Sequence, residues 1–226
     1  MYMFRNLILA SLALTLSYSA SAKETTYDID KDHSSVGFTV KHMLSNVKGN
    51  FTDFGGTIKM DDKNATKDEV FVHIKTASVD TRNSKRDEHL KSADFFDAAK
   101  MPEMTFKSTK ITKKGKDKFN VEGMLSLHGV EKLVKLDGSY LGTAKDPWGG
   151  TRASFSATGK LNRKDFGLTW NKVLETGGVL VGEKIMLDLE IEATVAKADA
   201  PPKAEASSKE TKLAKPSPAA SPEVKK

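Results

Sequence analysis

The residues to weigh first for chemistry are the five histidines, His33, His42, His73, His89 and His128. None stands in an HxxxH or HExxH pattern, so no two of them are placed on one helical turn to share a metal ion. A metal site would require them to converge from distant segments, and no metal is expected. The densest mixed cluster is Arg86, Asp87 and His89. A cation, a carboxylate and an imidazole together invite a catalytic reading. Two others compete with it. In a helical window Asp87 and Lys91 lie four apart and can pair while Leu90 turns inward, so Arg86 and Asp87 would fix the helix to the rest of the fold. Alternatively, Arg86, Asp87 and His89 hold the polar end of a ligand. Arg163 and Asp165 suit a polar turn held by an ion pair, with Arg163 a further head-group candidate. There is no GxSxG elbow for a serine nucleophile. Neither Gly55-Gly56 nor Gly177-Gly178 is followed by the GK[ST] of a phosphate loop.

The absence of cysteine among the 226 residues removes thiol nucleophiles, disulfides, thiolate metal sites and a cysteine lipid anchor. The 36 basic and 30 acidic residues give a net charge of +6, which calls for a segment-by-segment reading before nucleic acid or anionic lipid is inferred.

Residues 1–22 open with Arg5, run apolar from Leu7 to Leu16 and end Ala20-Ser21-Ala22. That pattern reads as a secretory signal cleaved after Ala22, because about 10 apolar residues cannot span a bilayer. The expected location is therefore a bacterial periplasm. Residues 197–226 hold five of the seven prolines, with seven lysines against four acids and no apolar periodicity. They read as a disordered Lys/Pro/Ala-rich tail whose charge could contact the cell envelope weakly. Arg5 and the tail carry +4 of the +6, so residues 23–196, the expected domain, keep only +2. That is little to drive phosphate association, and nucleic acid is not an expected partner.

Within 23–196 apolar residues recur at every second position. Val36, Phe38 and Val40 share one face, as do Val70, Val72 and Ile74. Phe119, Val121, Gly123, Leu125 and Leu127 form another such row. Val134, Leu136, Gly138 and Tyr140 follow, then Ala153, Phe155, Ala157, Gly159 and Leu161, and last Ile185, Leu187, Leu189 and Ile191. Period two predicts strands with one buried face. Leu127-His128-Gly129-Val130 reads as a hairpin turn. Roughly eight strands with one helical window, Ser84 to Ser92, predict an all-β barrel or sandwich. Pro102 ends the helical region before a strand over Met104 to Ile111. Gly123, Gly138, Ala157 and Gly159 on the inward faces have two readings. They let strands coil at barrel corners, or they leave the interior hollow for an elongated apolar guest. Trp148 and Trp170 fall in or near loops, as rim caps or entrance residues.

Several motifs coincide with a known family. They are Tyr27-Asp28-Ile29-Asp30-Lys31-Asp32-His33-Ser34, Val36-Gly37-Phe38-Thr39-Val40-Lys41-His42 and Val47-Lys48-Gly49-Asn50-Phe51. The long block from Arg86-Asp87-Glu88-His89-Leu90 to Phe95-Phe96-Asp97 follows. Pro102 to Ser108, Gly123 to Val130 and Asn162-Arg163-Lys164-Asp165-Phe166-Gly167-Leu168 complete the set. Over nearly all of 26–195 the chain resembles the YceI-like family of periplasmic, lipocalin-like polyisoprenoid-binding proteins, with Tyr27 where that family more often has Trp.

The resemblance implies an extended eight-stranded antiparallel lipocalin-like barrel with a short helical segment near one end. Its pore would hold an isoprenoid-like lipid or a quinone-type amphiphile. A strand of about 10 residues, tilted by about 40°, gives a pore of roughly 25 Å. The pore-lining candidates are Val36, Phe38, Val40, Val72, Ile74, Phe106, Phe119, Val121, Leu125, Leu136, Phe155, Leu187, Leu189 and Ile191. Binding of this kind needs no cofactor and no catalytic residue. The expected function is a non-enzymatic lipid-binding barrel. An enzyme acting on a lipid-like substrate through Arg86, Asp87 and His89, and a structural or stress-response envelope protein with a packed barrel, are the competing readings. Whether the chain forms a homodimer stays open.

Overall fold

The computed structural model describes residues 23–175 and 177–196. The expected signal peptide and tail lie outside them. Eleven strands form one antiparallel sheet: β1 (Glu24–Ile29), β2 (Ser35–His42), β3 (Ser45–Phe51), β4 (Phe54–Asp61), β5 (Glu69–Lys75), β6 (Val79–Asp80), β7 (Glu103–Lys113), β8 (Lys118–Leu127), β9 (Val130–Lys145), β10 (Thr151–Asn162) and β11 (Val181–Val195). One helix, α1 (Ser84–Lys91), follows β6. It fills the helical window almost to the residue, and Ser92 caps its C-terminus.

The sheet closes on itself. Its order is β1-β4-β5-β7-β8-β9-β10-β11, and β11 returns to β1 through Tyr27↔Val195 and Ile29↔Ala193. Closure leaves an eight-stranded barrel without free edges along this ring. The other half of β11 pairs with β2, which pairs with β3, which pairs with β6. Thus β1 and β2, β3 and β4, and β5 and β6 are three long strands, each broken once. The breaks fall at the short 3₁₀ turns Lys31–His33 and Thr76–Ser78 and at Thr52-Asp53.

The hairpin expected at Leu127 to Val130 is present. His128 and Gly129 have φ of 53° and 74°, the left-handed pair that a two-residue hairpin of type I′ needs. The β7–β8 turn lies at one end of the barrel. The β8–β9 turn, α1 and the β10–β11 connection lie at the other.

Aromatic rings cover several of the inward glycines. A Cβ on Gly138 would lie 2.2 Å from Cε2 of Phe119, its cross-strand neighbour. One on Gly123 would lie 2.3 Å from Phe106 Cζ, and one on Gly49 2.5 Å from Phe38 Cζ. Each glycine lets an aromatic ring lie along the wall where a side chain would push it inward. Gly138→Ala should therefore cost about 1–3 kcal/mol through overpacking. A lower urea midpoint with an unchanged slope would report it; an unchanged midpoint would show that the ring moves freely.

Candidate functional site

The barrel encloses a cavity of about 610 Å³, within the range of roughly 300–1,000 Å³ typical of small-ligand sites. Its wall contains all fourteen residues read from the sequence as pore-lining, from Val36 on β2 to Ile191 on β11. Phe38, Val40, Val72, Phe119, Phe155, Leu187, Leu189 and Ile191 point inward yet are only partly buried. In a solid core they would be fully covered; here the uncovered surface faces the void. Sequence reading passes over other members of the wall, among them Phe51, Met104, Ile111 and Tyr140.

At the α1 end the cavity is capped. Leu90, the α1 residue expected to turn inward, lines it together with Phe95 and Phe96. Phe96 packs edge-on against Phe51, with ring centroids 5.6 Å apart, and Phe51 in turn packs on Phe38. Asn83 caps α1 by accepting from the Arg86 backbone N–H.

Of the four head-group candidates only Arg163 reaches the cavity wall. Arg86 donates from Nε to Thr81 Oγ1 at 2.7 Å and from Nη2 to the Thr81 carbonyl at 2.8 Å. Asp87 is buried and accepts from the backbone N–H and the hydroxyl of the same Thr81, at 2.9 and 2.5 Å. These two residues tie α1 to the segment after β6, and the expected Asp87–Lys91 pair is replaced by Lys91 with Glu88 at 3.0 Å. His89 meets Asp94 at 2.9 Å and sits edge-on to Phe95 and Trp170. Arg86, Asp87 and His89 are thus spent on local structure outside the cavity. Trp170 belongs to this cluster and Trp148 is exposed; neither lines the cavity.

Arg163 is 3% exposed. Its guanidinium donates to the carbonyls of Gly182 (3.0 Å), Leu168 (2.5 Å) and, more distantly, Val181 (3.4 Å). The ion pair expected with Asp165 does not form. Burial pulls its pKa down, and Glu183 partly offsets this.

The opposite end is open and polar. Among the described lining residues the exposed ones are Lys113, Lys116, Asp117 and Lys118, all at the β7–β8 turn. Lys113 stands at an inward position because the pairing register shifts between Ser108 and Lys110, after which Ile111 and Lys113 face in, with Lys113 opposite Phe119. Asp68, just before β5, shares this rim. Burial pushes its pKa up, against the backbone N–H of Asp61 and the charge of Lys113.

The sequence and the fold both have known counterparts. The family model described as the YceI-like domain matches residues 27–193. Protein YceI of Salmonella arizonae is 45% identical over 170 residues, 74% of this chain and 88% of the relative. The chain belongs to the YceI-like family. Among solved structures, a Campylobacter jejuni YCEI protein superposes on this YceI-like barrel with a TM-score of 0.61 at 39% identity, covering 74% of this chain and 96% of that one. A polyisoprenoid-binding domain from Saccharophagus degradans shares the fold, with a TM-score of 0.55 at 16% identity, covering 76% and 99%.

One further polar group marks the seam of the YceI-like barrel. Asp30, His33 and Glu192 bring their ligand atoms within 4.8 Å of one another. Arg152 already supplies a cation there, donating to Asp30 at 2.7 Å and to Glu192 at 2.5 Å. The group therefore reads as an ion-pair clasp across β10, β11 and the β1–β2 break. Burial acts to raise the Asp30 pKa, but hydrogen bonds from Arg152, His33 and the Asp32 N–H outweigh it and hold the carboxyl below its ordinary 3.8. A depressed carboxyl contributes stability above its unfolded pKa and loses it as pH falls through the folded value. Melting temperature should therefore fall more steeply below about pH 4 in the wild type than in Asp30→Asn. Parallel curves would show that the clasp adds nothing.

Proposed function

We propose that this YceI-like barrel is a periplasmic, non-enzymatic protein that holds a long isoprenoid-like or other amphiphilic lipid for carriage, storage or sequestration. The observation that carries the reading is the apolar cavity of about 610 Å³ through the barrel, walled by aliphatic and aromatic side chains. Each buried CH₂ contributes about 0.8 kcal/mol, so a chain of several five-carbon units has ample gross driving force even after ordering costs. The likeness to a polyisoprenoid-binding domain of the same fold supports this guest class. A quinone-type amphiphile fits the same shape. The hollow interior speaks against a packed structural barrel, and the engagement of Arg86, Asp87 and His89 away from the cavity speaks against catalysis by that cluster.

The test is native mass spectrometry of the protein purified from the periplasm, followed by organic extraction. A bound amphiphile is expected. A ligand-free barrel that also takes up no prenyl chain when offered one would overturn the reading. N-terminal sequencing of the same material should begin at Lys23, and an intact Met1 would remove the secretory reading. Native mass also reads the oligomeric state, dimer or monomer.

A further inference from the structure

We propose that the tips of the β2–β3 and β10–β11 connections form a docking surface for an anionic lipid bilayer. The proposal goes beyond the lipid-binding reading and does not depend on what the cavity holds. It starts from four apolar side chains that water reaches: Leu44 is 98% exposed, Val173 84%, Met43 48% and Val179 47%. Backbone hydrogen bonds bring them together. The Met43 N–H donates to the Leu180 carbonyl at 3.0 Å, which extends the pairing of His42 with Val181. The same register, carried one residue on, sets Leu44 level with Val179. The Leu180 N–H donates in turn to the Lys172 carbonyl at 2.9 Å, and Val179 forms a β-bridge with Val173. Residues 172–180 thus make a small hairpin, and the β2–β3 turn lies against its side.

Exposed turns ordinarily carry glycine and short polar residues. Here a long apolar side chain is kept at a conformational cost. Met43 is the first residue of the two-residue turn between His42 and Ser45, with φ of 51°. Glycine adopts a positive φ at that position freely, and a long side chain does not. Single apolar residues scattered over a surface are ordinary, but a contiguous patch marks an interaction site. This patch sits at the ends of two adjoining hairpins instead of in a groove. A projecting apolar end enters the deformable boundary of a bilayer, whereas a folded protein partner needs a matched surface. The surrounding charge agrees with a bilayer. Residues 41–48 and 171–180, the two segments that carry the patch, hold three lysines, Lys41, Lys48 and Lys172, against the single acid Glu175. All three lysines are exposed and stand in no ion pair among the described residues. Glu183, farther along β11, is held by Lys164 at 2.6 Å. Ammonium groups behind an inserting apolar tip reach anionic head groups. The cap of Leu90, Phe95 and Phe96 lies at this same end, so docking here sets the capped end of the barrel against the membrane.

The experiment is flotation of protein purified from the periplasm with two kinds of vesicle. One is phosphatidylethanolamine with about a quarter phosphatidylglycerol; the other is phosphatidylcholine alone. The wild type should float with the mixed vesicles and bind phosphatidylcholine more weakly. The tip variant Leu44→Ser/Val173→Thr/Val179→Thr should bind the mixed vesicles about tenfold or more weakly than the wild type. Its melting temperature should hold, because the replaced side chains are exposed. Met43→Gly is the second variant. It should lose part of the binding and yet melt higher than the wild type, as relief of the turn requires. Lys41→Gln/Lys48→Gln/Lys172→Gln should weaken binding to the mixed vesicles and leave phosphatidylcholine binding as it is. A wild type that does not float, or a tip variant that floats as the wild type does, overturns the proposal. A wild type that is dimeric in vesicle-free buffer, with a monomeric tip variant, makes the patch an interface between two copies and overturns it likewise. Guest content, read by native mass spectrometry on the same samples, is a separate measurement: an empty cavity counts against the lipid-binding reading and leaves the docking result standing.

Discussion

Replacing Ala157 with Trp should abolish most lipid uptake and leave the barrel folded. Ala157 lies on β10 between Gly138 and Leu189, with its methyl on the cavity wall. An indole there would project from the wall into the cavity. If it excludes about four chain carbons, the guest loses about 3 kcal/mol at 0.8 kcal/mol per CH₂, roughly 150-fold in Kd. Overpacking destabilises where neighbours must move, but a ring entering a void displaces solvent or guest, so the melting temperature should stay within a few degrees. Fluorescence titration with a prenyl chain reads the first effect and a thermal melt the second. Unchanged uptake would place the guest outside the barrel.

Removing the Arg163 guanidinium should be the most damaging single change outside the apolar wall. Its bonds join the end of β10 to Leu168 and to the start of β11 at Gly182. Arg163→Ala leaves those two carbonyls without a donor in a buried setting. Hydrogen bonds to a charged group contribute about 1.5–3 kcal/mol each, so a loss of about 3 kcal/mol or more is expected by chemical denaturation. Arg163→Met keeps much of the volume and removes the donors. If the hydrogen bonds matter, Met is as damaging as Ala; if Met restores stability, packing rather than hydrogen bonding is the cause. Arg163→Lys should rescue little, because an ammonium cannot reach the separated carbonyls as a planar fork does.

The strands are legible in the sequence because they alternate cleanly: one inward face per strand follows from period two, while closure into a barrel rather than a sandwich is what the family resemblance adds. The breaks between β1 and β2 and between β5 and β6 are not legible. At each, a short 3₁₀ turn moves the inward side chains from odd to even positions or back, from Ile29 to Val36 and from Ile74 to Val79. Lys113 escapes sequence reading for a similar reason. Counting by twos from Met104 and Phe106 places it on the outer face, and only the register shift after Ser108 turns it inward. Arg86 and Asp87 are conspicuous in the sequence, but their partner is Thr81, and no spacing rule announces that a threonine hydroxyl and its own backbone will absorb both. The inward glycines stand out without the rings that cover them, because ring and glycine meet only across strands.

The pairing of β11 has a consequence for how the chain reaches its final state. This one strand satisfies β10 along one edge and both β1 and β2 along the other. It is also the last of the described strands to be made. Until it exists, three edges stay open and the first strand lacks one of its two neighbours, so the ring cannot close before β11 is made. Pairings between the two extremes of a chain carry a large loop-closure cost and form slowly. A late, slow closure keeps the unpaired edges of β1, β2 and β10 exposed for longer. It also means that truncation within β11 should trap an open sheet prone to edge-to-edge association.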